Sequence, residues 1–178
     1  MKNIEIKVVD KDNEKSLSLK NESFEIIGEL IVARVDGHWL YTENEFEQIT
    51  EMVFPEENYS YDTVIKNGFS IGAYDKDRCI GLAIFEYQWN SYVYLSDLKV
   101  SNPYRNQGIA SKILDFSREI IAEKGYKGIS TIAQSNNLIA NRFYIKYGFE
   151  IGGLNTQNYH FTNLKGKADI YYYFQLSK

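Results

Sequence analysis

The stretch that most constrains the fold runs from Tyr92 to Lys124. It reads as a strand (YVYLSDLKV), a short SNPY connector, the turn Arg105-Asn106-Gln107-Gly108-Ile109-Ala110, and an amphipathic run. A strand, glycine turn and helix start leave several backbone N–H groups unpaired and pointing one way, and the helix dipole adds partial positive charge there. That is an anion seat, most often for phosphate. The pattern GxxxxGKS/T is missing, which excludes the Walker turn, and so is GxGxxG, which excludes the dinucleotide fingerprint. What remains is Arg-x-x-Gly-x-Ala. Arg105 can add a charged bidentate contact to a phosphate, Gly108 has no Cβ to hold a ligand off the backbone, and Ala110 keeps the first helical turn slim. Read by itself, the same pattern also fits an ordinary strand-to-helix turn with a surface arginine.

The 178 residues are enough for one domain, residues 1–178, with a core that needs no disulfide support. With 44% hydrophobic and 25% charged residues the composition is that of a soluble globular protein, and no apolar run reaches the length of a membrane span. The beginning, MKNIEIKVVDKDNEK, lacks the apolar core of a signal peptide. A single cysteine, Cys79, excludes an internal disulfide framework and a thiolate-rich metal site, and the expected compartment is the cytoplasm. The net charge of −4 argues against a nucleic-acid partner and favours a cationic one.

Along the chain, Glu22 to Ala33 predicts an edge strand with a bulge or turn at Gly28. Thr42-x-x-Glu45 is a capping-box signature, and Phe46, Ile49 and Val53 keep helical spacing, so a helix is expected from about Glu43 to Val53. Between Val35 and Ile65 stand eight acidic residues (Asp36, Glu43, Glu45, Glu47, Glu51, Glu56, Glu57 and Asp62) and no lysine or arginine. They read either as a solvated helix face or as a lip whose negative potential concentrates a polycation. Phe69–Tyr74, Cys79–Trp89 and Tyr92–Val100 form an expected antiparallel meander, with Cys79 a small core residue. After the glycine turn, Ile109, Ile113, Phe116 and Ile120 are read onto one helix face with Ala110, Leu114 and Ile121, ending near Gly125. Gly128–Ala133 is expected as a strand parallel to Tyr92–Val100, because a helical crossover joins the two. A helix capped by Asn136 or Asn137 then runs to Tyr147, and Phe149–Thr156 and Ala168–Leu176 make a last hairpin.

That last helix carries the pattern Asn137-x-x-Ala140-x-x-Phe143-Tyr144-x-x-x-Gly148-Phe149. Together with the glycine turn, one strand earlier, it resembles the GNAT superfamily of N-acetyltransferases. The resemblance extends to the streptothricin acetyltransferases and covers most of the chain. It rests on FEIIGEL with Trp39, on Trp89-Asn90-Ser91-Tyr92, on YLSDLKV, and on Asn136-Asn137-Leu138-Ile139-Ala140 with Phe143-Tyr144. Asn106 stands where glycine is usual, Ala110 where glycine is commonest, and Ser96 where that family tends to carry an acid.

The resemblance implies an α+β fold with a mixed, mostly antiparallel sheet of about six to seven strands flanked by helices. A splay between two parallel strands would hold acetyl-CoA, the acetyl donor, with no metal. It further implies that the cofactor arm pairs with backbone near Leu98 and Val100, and that the Leu98 N–H polarises the thioester carbonyl. Arg105, Asn106, Gln107, Gly108, Ile109, Ala110 and Ser111 would hold the pyrophosphate, and Asn137 would steady the arm. The implied acceptor is a primary amine, and a homodimer stays open as the assembly.

An alkylammonium must lose a proton before it can attack, and the departing thiolate must gain one. Asp97 is the first candidate base, because alternation places it on the face opposite Leu98 and Val100 and a charge within a core strand needs a reason. Its alternative is a structural acid paired with a lysine. Glu86 on the preceding strand is the reserve. Tyr144 matches the position where the superfamily places a general acid, and its alternative is an aromatic packing residue. His38 and His160 have no partners in sequence that would make them ligands. Acetylation of streptothricin is expected first. Acetylation of a polyamine, a lysine-like metabolite or a protein amine, or a non-catalytic acetyl-CoA sensor, are the competing readings.

Overall fold

The computed structural model describes residues 4–176, which divide into two compact units. The first holds residues 4–22, 54–129 and 176, and the second holds 23–53 and 130–175.

In the first unit β1 (Ile4–Val8), β4 (Gly68–Asp75), β5 (Arg78–Tyr87) and β6 (Tyr92–Val100) stand in the order β1-β4-β5-β6, each antiparallel to its neighbour. The expected meander is there. Helix α1 (Tyr61–Asn67) is started by Ser60, whose hydroxyl accepts from the Thr63 N–H at 3.3 Å. Helix α2 (Ile109–Glu123) buries Ile109, Ile113, Leu114, Ser117 and Ile121. Phe116, expected on that face, is exposed, and Ser117 takes the place, its hydroxyl turned back to the Leu114 carbonyl at 2.7 Å. After α2 the chain enters β7 (Gly128–Gln134), whose first residues lie next to β6 in the strand order, as the crossover requires.

The second unit holds the rest of β7, helix α3 (Leu138–Tyr147), and β8 (Glu150–Asn155) paired antiparallel with β9 (Asp169–Gln175). It also holds a ribbon of β2 (Phe24–Val35) and β3 (His38–Met52). Leu30, Leu138, Ile170 and Tyr172 are its most deeply buried hydrophobic side chains, and full burial of a large apolar side chain is worth about 1.5–3 kcal/mol. The bulge expected at Gly28 is present, since the β2/β3 register shifts between Ile26 and Gly28. A Cβ there would lie 2.4 Å from the Asn44 carbonyl oxygen.

The helix expected from Glu43 to Val53 is not formed. Those residues belong to β3, apart from Val53 just beyond it. The capping-box signature loses to a stronger local instruction upstream. Asp36 and Gly37 both take positive φ, 50° and 83°, as a tight two-residue hairpin turn demands. That turn pairs Val35 with His38 and zips β3 along β2. The missed helix is α1, and the missed strand is β1. The class is α+β with a mixed, mostly antiparallel sheet.

Candidate active site

The glycine turn sits at the end of β6, after a single 3-10 turn at Asn102–Tyr104. Gly108 is the N-cap of α2 in the left-handed region (φ 76°), with no side-chain cap and no acidic residue in the first helical turn. A Cβ on Gly108 would meet nothing within 4 Å, so glycine is favoured there by backbone angle and not by crowding within the protein. Asn106 is also left-handed, at φ 60°. Asparagine is among the few non-glycine residues that visit this region readily, so the residue standing where glycine is usual still makes the bend. The Arg105 Nε donates to the Val100 carbonyl at 2.9 Å, which ties the guanidinium to the end of β6. A helix start with no side-chain cap, a tethered arginine and no acidic residue in its first turn is chemically suited to a pyrophosphate.

One strand back, β6 carries an extra residue. Ile84 opposes Asp97 while Phe85 opposes Leu95, so Ser96 is a bulge. The bulge puts Asp97 on the face of Ile84 and Leu95 on the opposite face with Phe85. Lys99, opposite Leu82, and Glu86, two residues from Ile84, share the Asp97 face, whereas Leu98 and Val100 lie on the other. Both candidate bases are thus on one face, as alternation alone had suggested for Asp97.

Asp97 is paired with a lysine. Its Oδ2 lies 2.9 Å from Lys99 Nζ and accepts from the Tyr59 hydroxyl at 3.2 Å. Lys99 Nζ also reaches Asn21 Oδ1 at 3.0 Å and Glu57 Oε2 at 3.3 Å. Burial pushes the Asp97 carboxyl above the ordinary carboxylate range, and the Lys99 ammonium pulls it back. The Tyr59 hydroxyl is held well above its usual range, first by burial and then by the Asp97 charge. Tyr59, Asn21 and Lys99 were not singled out by sequence reading, and Glu57 entered only as one of the acidic run. Only Lys99 left a signal, its spacing of two from Asp97 on a strand.

In the second unit Asn137 is the N-cap of α3, with its side-chain oxygen accepting from the Ala140 N–H at 3.1 Å. Tyr144 is buried and packs edge-on to Phe143 and Phe149, with Tyr172 at 5.5 Å. It therefore does have the packing role, whatever its hydroxyl adds. The fully buried Asn141, also missed, donates to the carbonyls of Gln134 (2.9 Å) and Asn137 (2.8 Å) and accepts from the Tyr172 hydroxyl at 2.6 Å. It anchors the helix that carries Asn137 and Tyr144.

The acidic run is not a helix face. Within it, Arg142 of α3 clamps Glu43 through Nε at 3.1 Å and Glu45 through Nη2 at 2.6 Å, and Glu57 is engaged by Lys99. Cys79 is half-buried, its thiol pushed up by burial. His160 packs edge-on to Phe161 at 4.6 Å. Among the described residues no group of His, Cys, Asp and Glu could hold a metal, and no helix is long and apolar enough to cross a membrane.

Residues 38–149 match the family described as Acetyltransferase (GNAT) family. Streptothricin acetyltransferase A of Bacillus subtilis (strain 168) is 27% identical over 164 residues, 92% of this chain and 95% of that protein. The streptothricin acetyltransferase of Escherichia coli is 27% identical over 116 residues, 64% of this chain and 67% of that protein. Among solved structures, a Bacillus anthracis str. Ames protein crystallised with acetyl coenzyme A superposes with a TM-score of 0.86. It is 24% identical, and the match covers 97% of this chain and 98% of that one. Nourseothricin acetyltransferase superposes with a TM-score of 0.80 at 19% identity, covering 97% of this chain and 98% of that one. The fold is that of these proteins, and the chain belongs to the GNAT family of acetyltransferases.

Proposed function

We propose that this acetyltransferase moves the acetyl group of acetyl-CoA to a primary amine of a small cationic acceptor, streptothricin first. The observation that carries the reading is the α2 start, where Gly108 caps without a side chain and Arg105 stands tethered beside it. The backbone of residues 105–111 would hold the pyrophosphate, and the edge of β6 at Leu98 and Val100 would pair with the cofactor arm. Asn137 would steady that arm. When bound, acetyl-CoA supplies the activated acyl group.

The Leu98 N–H would stabilise the charge that grows on the carbonyl oxygen. Asp97 would take the proton from the acceptor's ammonium, directly or through one water, with Glu86 in reserve. The amine nitrogen then forms its bond to the acyl carbon as the carbon–sulfur bond breaks, and Tyr144 would return a proton to the departing sulfur. Two relatives named as streptothricin acetyltransferases, each 27% identical, support the acceptor. So do the acidic residues of the 35–65 stretch that Arg142 and Lys99 do not engage, such as Asp36, Glu47 and Glu51.

A thiol-release assay with streptothricin, spermidine and lysine tests this. Streptothricin is expected to be acetylated, with kcat/KM falling as ionic strength rises, because attraction between exposed charges is screened. Expression in a sensitive bacterium should confer resistance. Turnover of spermidine or lysine without streptothricin would reassign the acceptor to a polyamine or a lysine-like amine. Cofactor binding without any turnover would mark a sensor.

A further inference from the structure

The Asp97 carboxylate is held unevenly. Both of its donors, Lys99 Nζ at 2.9 Å and the Tyr59 hydroxyl at 3.2 Å, converge on Oδ2. Oδ1 takes no hydrogen bond among the described residues. Lys99 is itself fixed from three sides by oxygens of Asp97, Asn21 and Glu57, with the Tyr59 ring 5.7 Å from Nζ. Its side chain is only 11% exposed, and that of Asp97 only 12%. Asn21, which holds Lys99, is in turn fixed by its amide to the Pro55 carbonyl and to Glu57 Oε2, both at 2.8 Å. An ammonium with that many fixed partners is a built element of the site. Solvated surface lysines are not held this way.

We propose that Lys99 is a positioning residue that keeps Asp97 ionised and anchors Oδ2, so that Oδ1 is the oxygen presented to the acceptor's proton. The inference rests on the reading of Asp97 as the base, but its first half does not depend on that reading. The charged and titratable groups around Asp97 are Lys99 on its own strand, Tyr59 and Glu57 from the segment before α1, and Glu86 on the same face of β5, whose charge acts on Tyr59. Of these only Lys99 is a cation. Without it, burial and the Glu57 charge both favour the protonated acid, and only the Tyr59 hydroxyl opposes them. A carboxyl that stays protonated cannot accept a proton, so losing Lys99 should move the acid side of the rate profile to higher pH.

The test pairs two measurements on Lys99→Met and Lys99→Arg. In the first, the carboxyl carbon of Asp97, assigned by its absence in Asp97→Asn, is titrated by NMR in the protein without substrates. The Met variant should titrate about one pH unit or more above the parent, and the Arg variant should return close to it. In the second, the acid limb of kcat/KM should rise by the same amount in the Met variant and be restored by arginine. An unchanged Asp97 titration in a folded Met variant overturns the inference, whatever the activity. A moved titration with an unmoved kinetic limb upholds Lys99 as the keeper of the charge and removes Asp97 as the base. If the Met variant does not fold, Lys99→Gln carries the same comparison.

Discussion

The two motif helices begin in opposite ways. At the start of α3, Asn137 supplies a side-chain cap to the Ala140 N–H, so the protein meets one of that helix end's donors itself, and Asn141 ties down the Gln134 and Asn137 carbonyls. At the start of α2 the cap is Gly108, which has no side chain to give, and the first turn carries no acid. The dipole is present at both ends, but the α2 end has no side-chain cap to compete with an incoming anion. That uncapped start is the one proposed to hold the pyrophosphate, where Arg105, held to the Val100 carbonyl, would add the countercharge.

The most severe way to break this contrast is to cap α2 from within. In Gly108→Asp, a carboxylate enters the seat and can accept the first-turn N–H groups as an ordinary N-cap does. No atom lies within 4 Å of the new Cβ, and aspartate tolerates left-handed φ better than most residues. The apo protein should therefore stay folded while the thermal stabilisation by acetyl-CoA disappears. A full stabilisation in that variant would mean that the pyrophosphate sits elsewhere.

The next effect sharpens the other side of the comparison. Because α3 is fixed by its own cap and by aromatic packing around Tyr144, Tyr144→Phe should remove a hydroxyl without loosening the helix. Loss of a positioned acid lowers turnover by about 10²-fold, or roughly 2.7 kcal/mol of barrier, while stabilisation by acetyl-CoA stays at the parental level. Turnover within a few-fold of the parent across pH would reduce Tyr144 to its packing role.

How much of this could be read from the chain follows from how local each instruction is. The α2 turn, the α3 cap and the meander are written in adjacent residues, and all stand where the sequence put them. The Glu43–Val53 helix failed because Thr42-x-x-Glu45 is a local signal, whereas the ladder to β2 is laid down from the Asp36-Gly37 turn. That dipeptide was the signal to weigh, and it outranks a capping box when β-branched and aromatic residues follow it. The Asp97 setting was half legible. Alternation gave its face, but the Ser96 bulge and the arrival of Asn21, Glu57 and Tyr59 from 38 to 76 residues away in sequence leave no local mark.

The smallest expected effect is the mirror of the first, to uncap α3. In Asn137→Ala the Ala140 N–H loses its partner, and replacement of such a cap costs about 1 kcal/mol, within a range of roughly 0.5–2. The denaturant midpoint should fall accordingly with an unchanged slope, because the surface exposed on unfolding is nearly the same. Asn137→Ser restores a capping oxygen but not the amide, so it should recover most of the stability. The pair separates the two roles of the residue. If the serine variant matches the parent in stability yet binds acetyl-CoA more weakly, the amide serves the cofactor arm as well as the helix. If it matches in both, Asn137 is a cap alone. Should alanine cost nothing, the α3 end was not held by its own side chain, and the difference between the two helix starts would need another origin.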